Sequence, residues 1–181
     1  AVIHLAGIVT DELVDMNYVK AIRVNLLGTG NVLMAAWVAR AKRFIYASSV
    51  AVYGSSDTPA TESHPIKPTS IYGKHKAECE DILWKAQSKD FSCAATRSAS
   101  VCGYSPRMRL DLTINRMVHD AYRRGSITVE GGEQVRSHIH MNDICRFYRL
   151  LVDSKKSGAF NVVAENQKIK DSAAMVSSII D

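Results

Sequence analysis

Tyr72 and Lys76 stand four residues apart in Tyr72-Gly-Lys-His-Lys76, downstream of Ser48-Ser49 at the end of an apolar run. On a helix that spacing puts the phenol and the ammonium on one face, one turn apart. A neighbouring cation favours the phenolate and lowers a tyrosine pKa from its reference of about 10 towards working pH. A serine hydroxyl close by can hold the same substrate oxygen. Together the three groups can take a proton from a sugar or steroid hydroxyl while a nicotinamide takes the hydride. Alone, the spacing equally describes a Tyr and a Lys on a solvated helix face, so the surrounding text decides.

Several elements must position these groups. Ala1 to Leu5 predicts a short, buried parallel strand that ends in the loop Ala6-Gly7-Ile8. Between about Asn17 and Ala41, the residues Val19, Ile22, Leu26, Leu33, Ala36 and Trp37 recur at helical spacing. Phe44 to Ser48 is the next strand, and Ser55 to Pro68 is a loop broken by Pro59 and Pro65. Ser70 is placed to cap a helix that runs through Tyr72 and Trp84 to about Ser88. Phe91 to Ala99 reads as a strand, Leu112 to Arg124 as a helix, and Ile127–Val129 and Ser137–Ile139 as two short strands. A helix from Asn142 to Val152, a strand at Phe160–Val162 and a helix from about Asp171 complete the chain. Strand and helix alternate throughout, which predicts an α/β fold with a mainly parallel sheet.

Six blocks in fixed order carry a resemblance: Val2 to Gly7; Asn25-Leu-Leu-Gly-Thr29 with Asn31; Phe44 to Gly54; Pro68 to Glu78; Arg97 to Gly103; and Arg136 to Asp143. Together they resemble the extended short-chain dehydrogenase/reductase family, in its NAD-dependent epimerase/dehydratase branch. The resemblance implies a Rossmann-like, doubly wound sheet that is incomplete at its N-terminus, with a small substrate-binding part in the second half. Residues 1–103 would form the rest of the NAD(P)-binding domain, and 104–181 a mainly substrate-binding region. The family's glycine turn G-x-x-G-x-x-G, where backbone meets the dinucleotide pyrophosphate, does not occur here. Gly28-Thr29-Gly30 lies inside a helical pattern and is no substitute. An incomplete protein is expected.

Carried over residue by residue, the resemblance makes Ser49, Tyr72 and Lys76 the catalytic residues, Lys76 also bonding the nicotinamide ribose. Cofactor contacts fall on Leu5, Ala6, Gly7, Ile8, Asn25, Ser100 and Val101, in addition to Tyr72 and Lys76. Substrate contacts fall on Asn115 and Arg136, with Ser49. NAD or NADP is implied, NAD being favoured, and the partner is a nucleotide-diphosphate sugar. Dehydratases of this family place an Asp-Glu pair directly after the catalytic Ser or Thr, where this chain has Val50-Ala51. A 4-epimerase using Tyr72 as general base with transient hydride transfer is therefore the expected activity. The alternatives are a reductase of a sugar ketone or other carbonyl, and a non-catalytic fragment unable to bind cofactor. A homodimer is implied as well, through the helix over residues 17–41 and the Tyr72 helix.

The composition, at 46% hydrophobic and 23% charged residues, is ordinary for a soluble globular protein. No apolar run is read as approaching the ~20 residues of a membrane span, so no membrane partner is expected. The net charge of +5 raises the question of nucleic acid. The basic residues form no stripe with aromatics, however, and gather as Arg107, Arg109, Arg116, Arg123, Arg124 and Arg136 in the region that the resemblance assigns to a substrate carrying a nucleotide diphosphate, whose phosphate oxygens suit arginine; Arg123-Arg124 reads instead as a solvated basic face. Cys79, Cys93, Cys102 and Cys145 are scattered, as in a cytoplasmic protein with reduced thiols. His138 and His140 share one face of a strand without further ligands, so packing histidines and no metal site are expected.

Overall fold

The computed structural model describes residues 1–154 and 156–180. In chain order the elements are β1 (Val2–His4), α1 (Asp11–Met16), α2 (Tyr18–Ala21), a π-helical turn (Ile22–Leu27), α3 (Gly28–Val38), β2 (Arg43–Ser49), a 3₁₀ turn (Val50–Tyr53), α4 (Ile71–Ala86) and β3 (Ser92–Ser98). They continue with β4 (Ser100–Cys102), α5 (Thr113–Arg124), β5 (Val135–His140), α6 (Met141–Asp153), β6 (Gly158–Val162), β7 (Glu165–Lys168) and α7 (Ile169–Ile179). The chain divides into two compact units: residues 1–98 with 147–161, and residues 99–146 with 162–181.

The first unit is built on a sheet of order β1-β2-β3-β6. β1, β2 and β3 are parallel, with Ile3 opposite Ile45 and Ser49 opposite Ser98. The centre of β2 is apolar on both faces, because each face is covered by helix. Phe44 and Tyr46 join Leu33 and Ala36 of α3 and Cys79 and Leu83 of α4 in one cluster. Ile45 joins Ala94 and Leu151 in another, with Phe147, Tyr148 and Phe160 packed around it. This is the doubly wound, mainly parallel α/β architecture expected of the chain.

The second unit has a smaller sheet of order β4-β5-β7, parallel between β4 and β5 and antiparallel between β5 and β7. Its core is Met117 of α5 against Ile169, Ala173 and Val176 of α7, with Ile127 packed alongside.

The differences from the sequence reading have local causes. The helix read from about Asn17 does start there, and a separate short helix, α1, precedes it; the two are parted at Asn17, whose backbone leaves the helical region (φ −145°) while its side chain caps α2 by accepting from the Lys20 amide at 3.0 Å. Ile127–Val129 is not a strand. Ile127 serves the α5/α7 core, and the segment lies between two left-handed glycines, Gly125 and Gly131. β7 is Glu-Asn-Gln-Lys, which an apolar pattern does not reveal. The continuous helix Tyr18–Val38, 21 residues long, is long and apolar enough to cross a membrane, contrary to the reading that no run approaches that length.

Candidate active site

The apolar strand β2 delivers Ser48 and Ser49 to its carboxyl end. Consecutive strand residues face opposite ways, so the two hydroxyls have different fates. Ser48 is buried and donates to Glu80 Oε1 at 2.5 Å. Ser49 is half-buried and caps the 3₁₀ turn, accepting from the Ala51 amide at 3.2 Å.

α4 brings up Tyr72 and Lys76. Ser70 starts the helix as expected, its Oγ accepting from the Gly73 amide at 3.1 Å. Tyr72 lies in the first turn and is half-buried. Lys76, one turn on, is 6% exposed. Its Nζ donates to the Ala47 carbonyl at 2.6 Å, lies 4.7 Å from the centre of the Tyr46 ring and 5.5 Å from that of Tyr72. Burial brings the Lys76 ammonium down to about 8, partly offset by Cys79 and Glu80. Most of the group stays charged at neutral pH.

α4 and the 3₁₀ turn after β2 can approach closely only because residue 73 is glycine. A Cβ there would lie 2.6 Å from the Ala51 carbonyl oxygen and 3.1 Å from Pro68 Cβ. Gly54, with φ +71°, gives the same kind of room to the Lys67 backbone as the loop returns past the 3₁₀ turn.

The loop after β1 is held by Asn25. This buried amide accepts from the Ile8 amide at 2.8 Å and donates to the Ile8 carbonyl at 3.0 Å. A Cβ on Gly7 would sit 3.3 Å from Asn25 Oδ1. Asn25 lies within the π-helical turn, a rare geometry that concentrates at functional sites. Leu5 and Ala6 are exposed at the end of β1.

Leu5 to Ile8, Asn25, Ser49, Tyr72 and Lys76 all belong to the first unit, where Asn25 is joined to the Gly7-Ile8 loop and Lys76 approaches Tyr72. Ser100, Val101, Asn115 and Arg136 belong to the second. There, Ser100 and Arg136 line a cavity of about 600 Å³ with Arg116, Arg124, Asp111 and Asp120. Arg124 lies at the rim of this cavity, 69% exposed and 3.6 Å from Asp120. Asn115 does not line it. Its buried amide instead accepts from the Gly103 amide at 3.0 Å and donates to the Arg109 carbonyl at 3.0 Å, bracing a loop onto α5. His138 is buried and His140 exposed, and no group of three metal-ligating side chains occurs among the described residues. Sequence reasoning does not single out Gly73, which permits a close approach, or Glu80, which bonds Ser48. Glu80 continues the helical series Tyr72, Lys76, Glu80, and that spacing was the available signal.

Residues 1–163 match the model of the NAD dependent epimerase/dehydratase family. The chain belongs to this family. Among its curated relatives, the dTDP-D-glucose 4,6-dehydratase of Homo sapiens is 29% identical over 173 residues, covering 91% of this chain and 47% of that protein. The chain therefore spans about half the length of the curated relatives it matches. Among solved structures, MoeE5 in complex with UDP-glucose and NAD superimposes with a TM-score of 0.85 at 28% identity, over 98% of this chain and 61% of that one. A UDP-N-acetylglucosamine 4-epimerase from Methanobrevibacter ruminantium M1, in complex with UDP-N-acetylmuramic acid, does so with a TM-score of 0.87 at 25% identity, over 98% and 59%.

Proposed function

We propose that this chain carries the proton-transfer site of a nucleotide-sugar 4-epimerase that uses NAD(P), with NAD favoured. The reading rests chiefly on Lys76: a buried ammonium fastened to β2 at the Ala47 carbonyl, two residues before Ser49, and 5.5 Å from the centre of the Tyr72 ring. A charge so placed favours the phenolate of Tyr72. Tyr72 then takes the proton of the sugar 4-hydroxyl, and Ser49 holds the same oxygen. When the oxygen becomes a ketone, Tyr72 and Ser49 keep it in place, and Tyr72 returns the proton after the ring has turned over.

The cofactor, when bound, supplies reversible hydride exchange with the sugar carbon. The residues present fit it in part. Gly7 leaves backbone exposed beside a loop that Asn25 clamps, and Lys76 offers an ammonium near the carboxyl ends of β1 and β2. No glycine turn for the pyrophosphate occurs within these 181 residues. Arg136 and the other arginines of the second-unit cavity would take the nucleotide diphosphate of the sugar. Asn115, with both ends of its amide engaged internally, would act there through the loop it braces.

A dehydratase reading is suggested by relatives of that name. Against it stand Val50 and Ala51, which cannot transfer protons at the positions following Ser49. The deciding experiment incubates the full-length protein with UDP- and dTDP-hexoses. Appearance of the 4-epimer with no net change in NADH supports the proposal. Formation of a 4-keto-6-deoxy sugar would replace it with dehydration, and stoichiometric NADPH consumption with ketone reduction. We place the enzyme in the cytoplasm as a homodimer, joined through the exposed apolar residues of the helix Tyr18–Val38, Trp37 among them, and through α4.

A further inference from the structure

A buried ionic network in the first unit takes no part in the proton transfer described above. Glu80 and Arg97 are 2% and 5% exposed and pair at 2.6 Å. Arg97 Nε also reaches both Glu80 oxygens, at 3.1 and 3.2 Å. Burial works against the Arg97 charge, and its bonds to Glu80 and Tyr53 more than offset this, holding the guanidinium above its ordinary pKa.

From this pair, bonds run to every element around Ser49 and Tyr72. Ser48 donates to Glu80 at 2.5 Å. Arg97 Nη1 donates to the Tyr53 hydroxyl at 2.8 Å and to the Glu62 carbonyl at 3.1 Å. Tyr53 donates in turn to Asn161 Oδ1 at 2.7 Å. Asn161 closes the circuit by donating to the Ala60 carbonyl at 2.9 Å and, from its amide, to the Glu62 carboxylate at 2.8 Å.

The helical series on α4 gives the network its meaning. Lys76 and Glu80, one turn apart, bond the consecutive residues Ala47 and Ser48 of β2. Tyr72 is the next rung of the same face, one turn beyond Lys76, and Ser49 is the last residue of the same strand. Two rungs anchored side by side fix both the height of α4 and its rotation about its own axis. They therefore fix the direction in which the third rung presents its phenol. Arg97, directly opposite Ser48 in the β2–β3 register, locks Glu80 from the other side and ties in the 54–68 loop that leads to α4.

A buried ion pair is a weak source of stability, because desolvating the two charges opposes their attraction. What it supplies is a single permitted arrangement. We propose that the Glu80–Arg97 pair, with Ser48, Tyr53 and Asn161 bonded around it, is a positioning device that sets Tyr72 against Ser49, so that Glu80, Arg97 and Tyr53 govern turnover without touching substrate.

This inference rests on the proposed role of Tyr72, and its test separates the two. In the full-length protein, Tyr53→Phe deletes one buried hydroxyl and keeps the ring, while Glu80→Gln keeps the shape and removes the charge. Ile45→Val, on the opposite face of β2, serves as a control for simple loss of stability. Well below the melting temperature, both network variants should lose about tenfold or more in kcat with KM changed less than twofold, because misplacing reacting groups by about 1 Å is costly. Ile45→Val should keep wild-type kcat at a comparable fall in melting temperature. If Glu80→Gln does not fold, Tyr53→Phe alone decides. Wild-type kcat in folded Tyr53→Phe, or an equal loss in Ile45→Val, would overturn the positioning role. Full turnover in Tyr72→Phe would instead sink the catalytic reading on which it rests.

Discussion

Replacing Lys76 by methionine should lower turnover near neutral pH and yet make the protein more stable there. The ammonium is almost fully enclosed, and burial brings its pKa from 10.5 to about 8. That gap corresponds to about 3 kcal/mol of destabilisation while the group is charged in the folded protein at pH 7. Methionine keeps the length of the apolar stem and removes the charge, and forfeits the bond to the Ala47 carbonyl, about 1 kcal/mol. The net expectation is a gain of about 2 kcal/mol at pH 7. The sign with pH follows from linkage. Between about 8 and 10.5 the unfolded chain holds the Lys76 proton more than the folded protein does, so wild-type stability rises through that window. The advantage of Lys76→Met should therefore shrink as pH rises and be gone, or slightly reversed, by about pH 10.5. Urea unfolding of cofactor-free protein, followed by the fluorescence of Trp84, which packs against the first-unit core, measures this at each pH. A variant less stable than wild type at pH 7, with a difference independent of pH, would refute the assignment of a strained buried ammonium.

Three further outcomes follow from the same geometry. Ser49→Ala should cost a hundredfold or more in kcat, whereas Ser48→Ala should cost about tenfold at most and lower stability by about 1.5–3 kcal/mol, since it breaks a bond to a buried carboxylate; kinetics paired with urea unfolding tell them apart, and the reverse order would shift the catalytic hydroxyl to Ser48. Gly73→Ala should reduce both folding yield and activity, because its Cβ would meet the Ala51 carbonyl at 2.6 Å, and thermal melting unchanged from wild type would contradict that close approach. Sedimentation of the full-length protein should give a dimer that Trp37→Glu dissociates, Trp37 being 55% exposed on the helix Tyr18–Val38; monomer alone at all concentrations would remove the homodimer proposal.

What could be read in advance depended on whether local chemistry or distant partners decided the matter. β2 announced itself by an unbroken apolar run, and α4 by Ser70 followed by helical spacing, because burial on two faces and capping both leave marks within a few residues. Tyr72 and Lys76 were visible for the same reason, their relation being one helical turn. β7 was not, since Glu-Asn-Gln-Lys becomes a strand only through pairing with β5, thirty residues earlier in the chain. The π-helical turn that holds Asn25 was equally hidden, as it accommodates a two-bond clamp on Ile8 across the fold. The Glu80–Arg97 pair lay in plain sight as two charged residues, and nothing short of the β2–β3 register tells that both are buried beneath Ser48.

The central claim is that Tyr72, activated by Lys76, moves the proton. Its most direct test is the pH dependence of kcat/KM for the full-length wild type, Lys76→Met and Tyr72→Phe. Tyr72→Phe should fall by about 10²–10⁴-fold with its fold intact, the loss expected of a general base. Residual activity in Lys76→Met should have its acidic limb, where Tyr72 loses its proton, moved to higher pH, because the charge favouring the phenolate is gone. Full turnover by Tyr72→Phe, or an unmoved pH profile in Lys76→Met, would contradict the assignment.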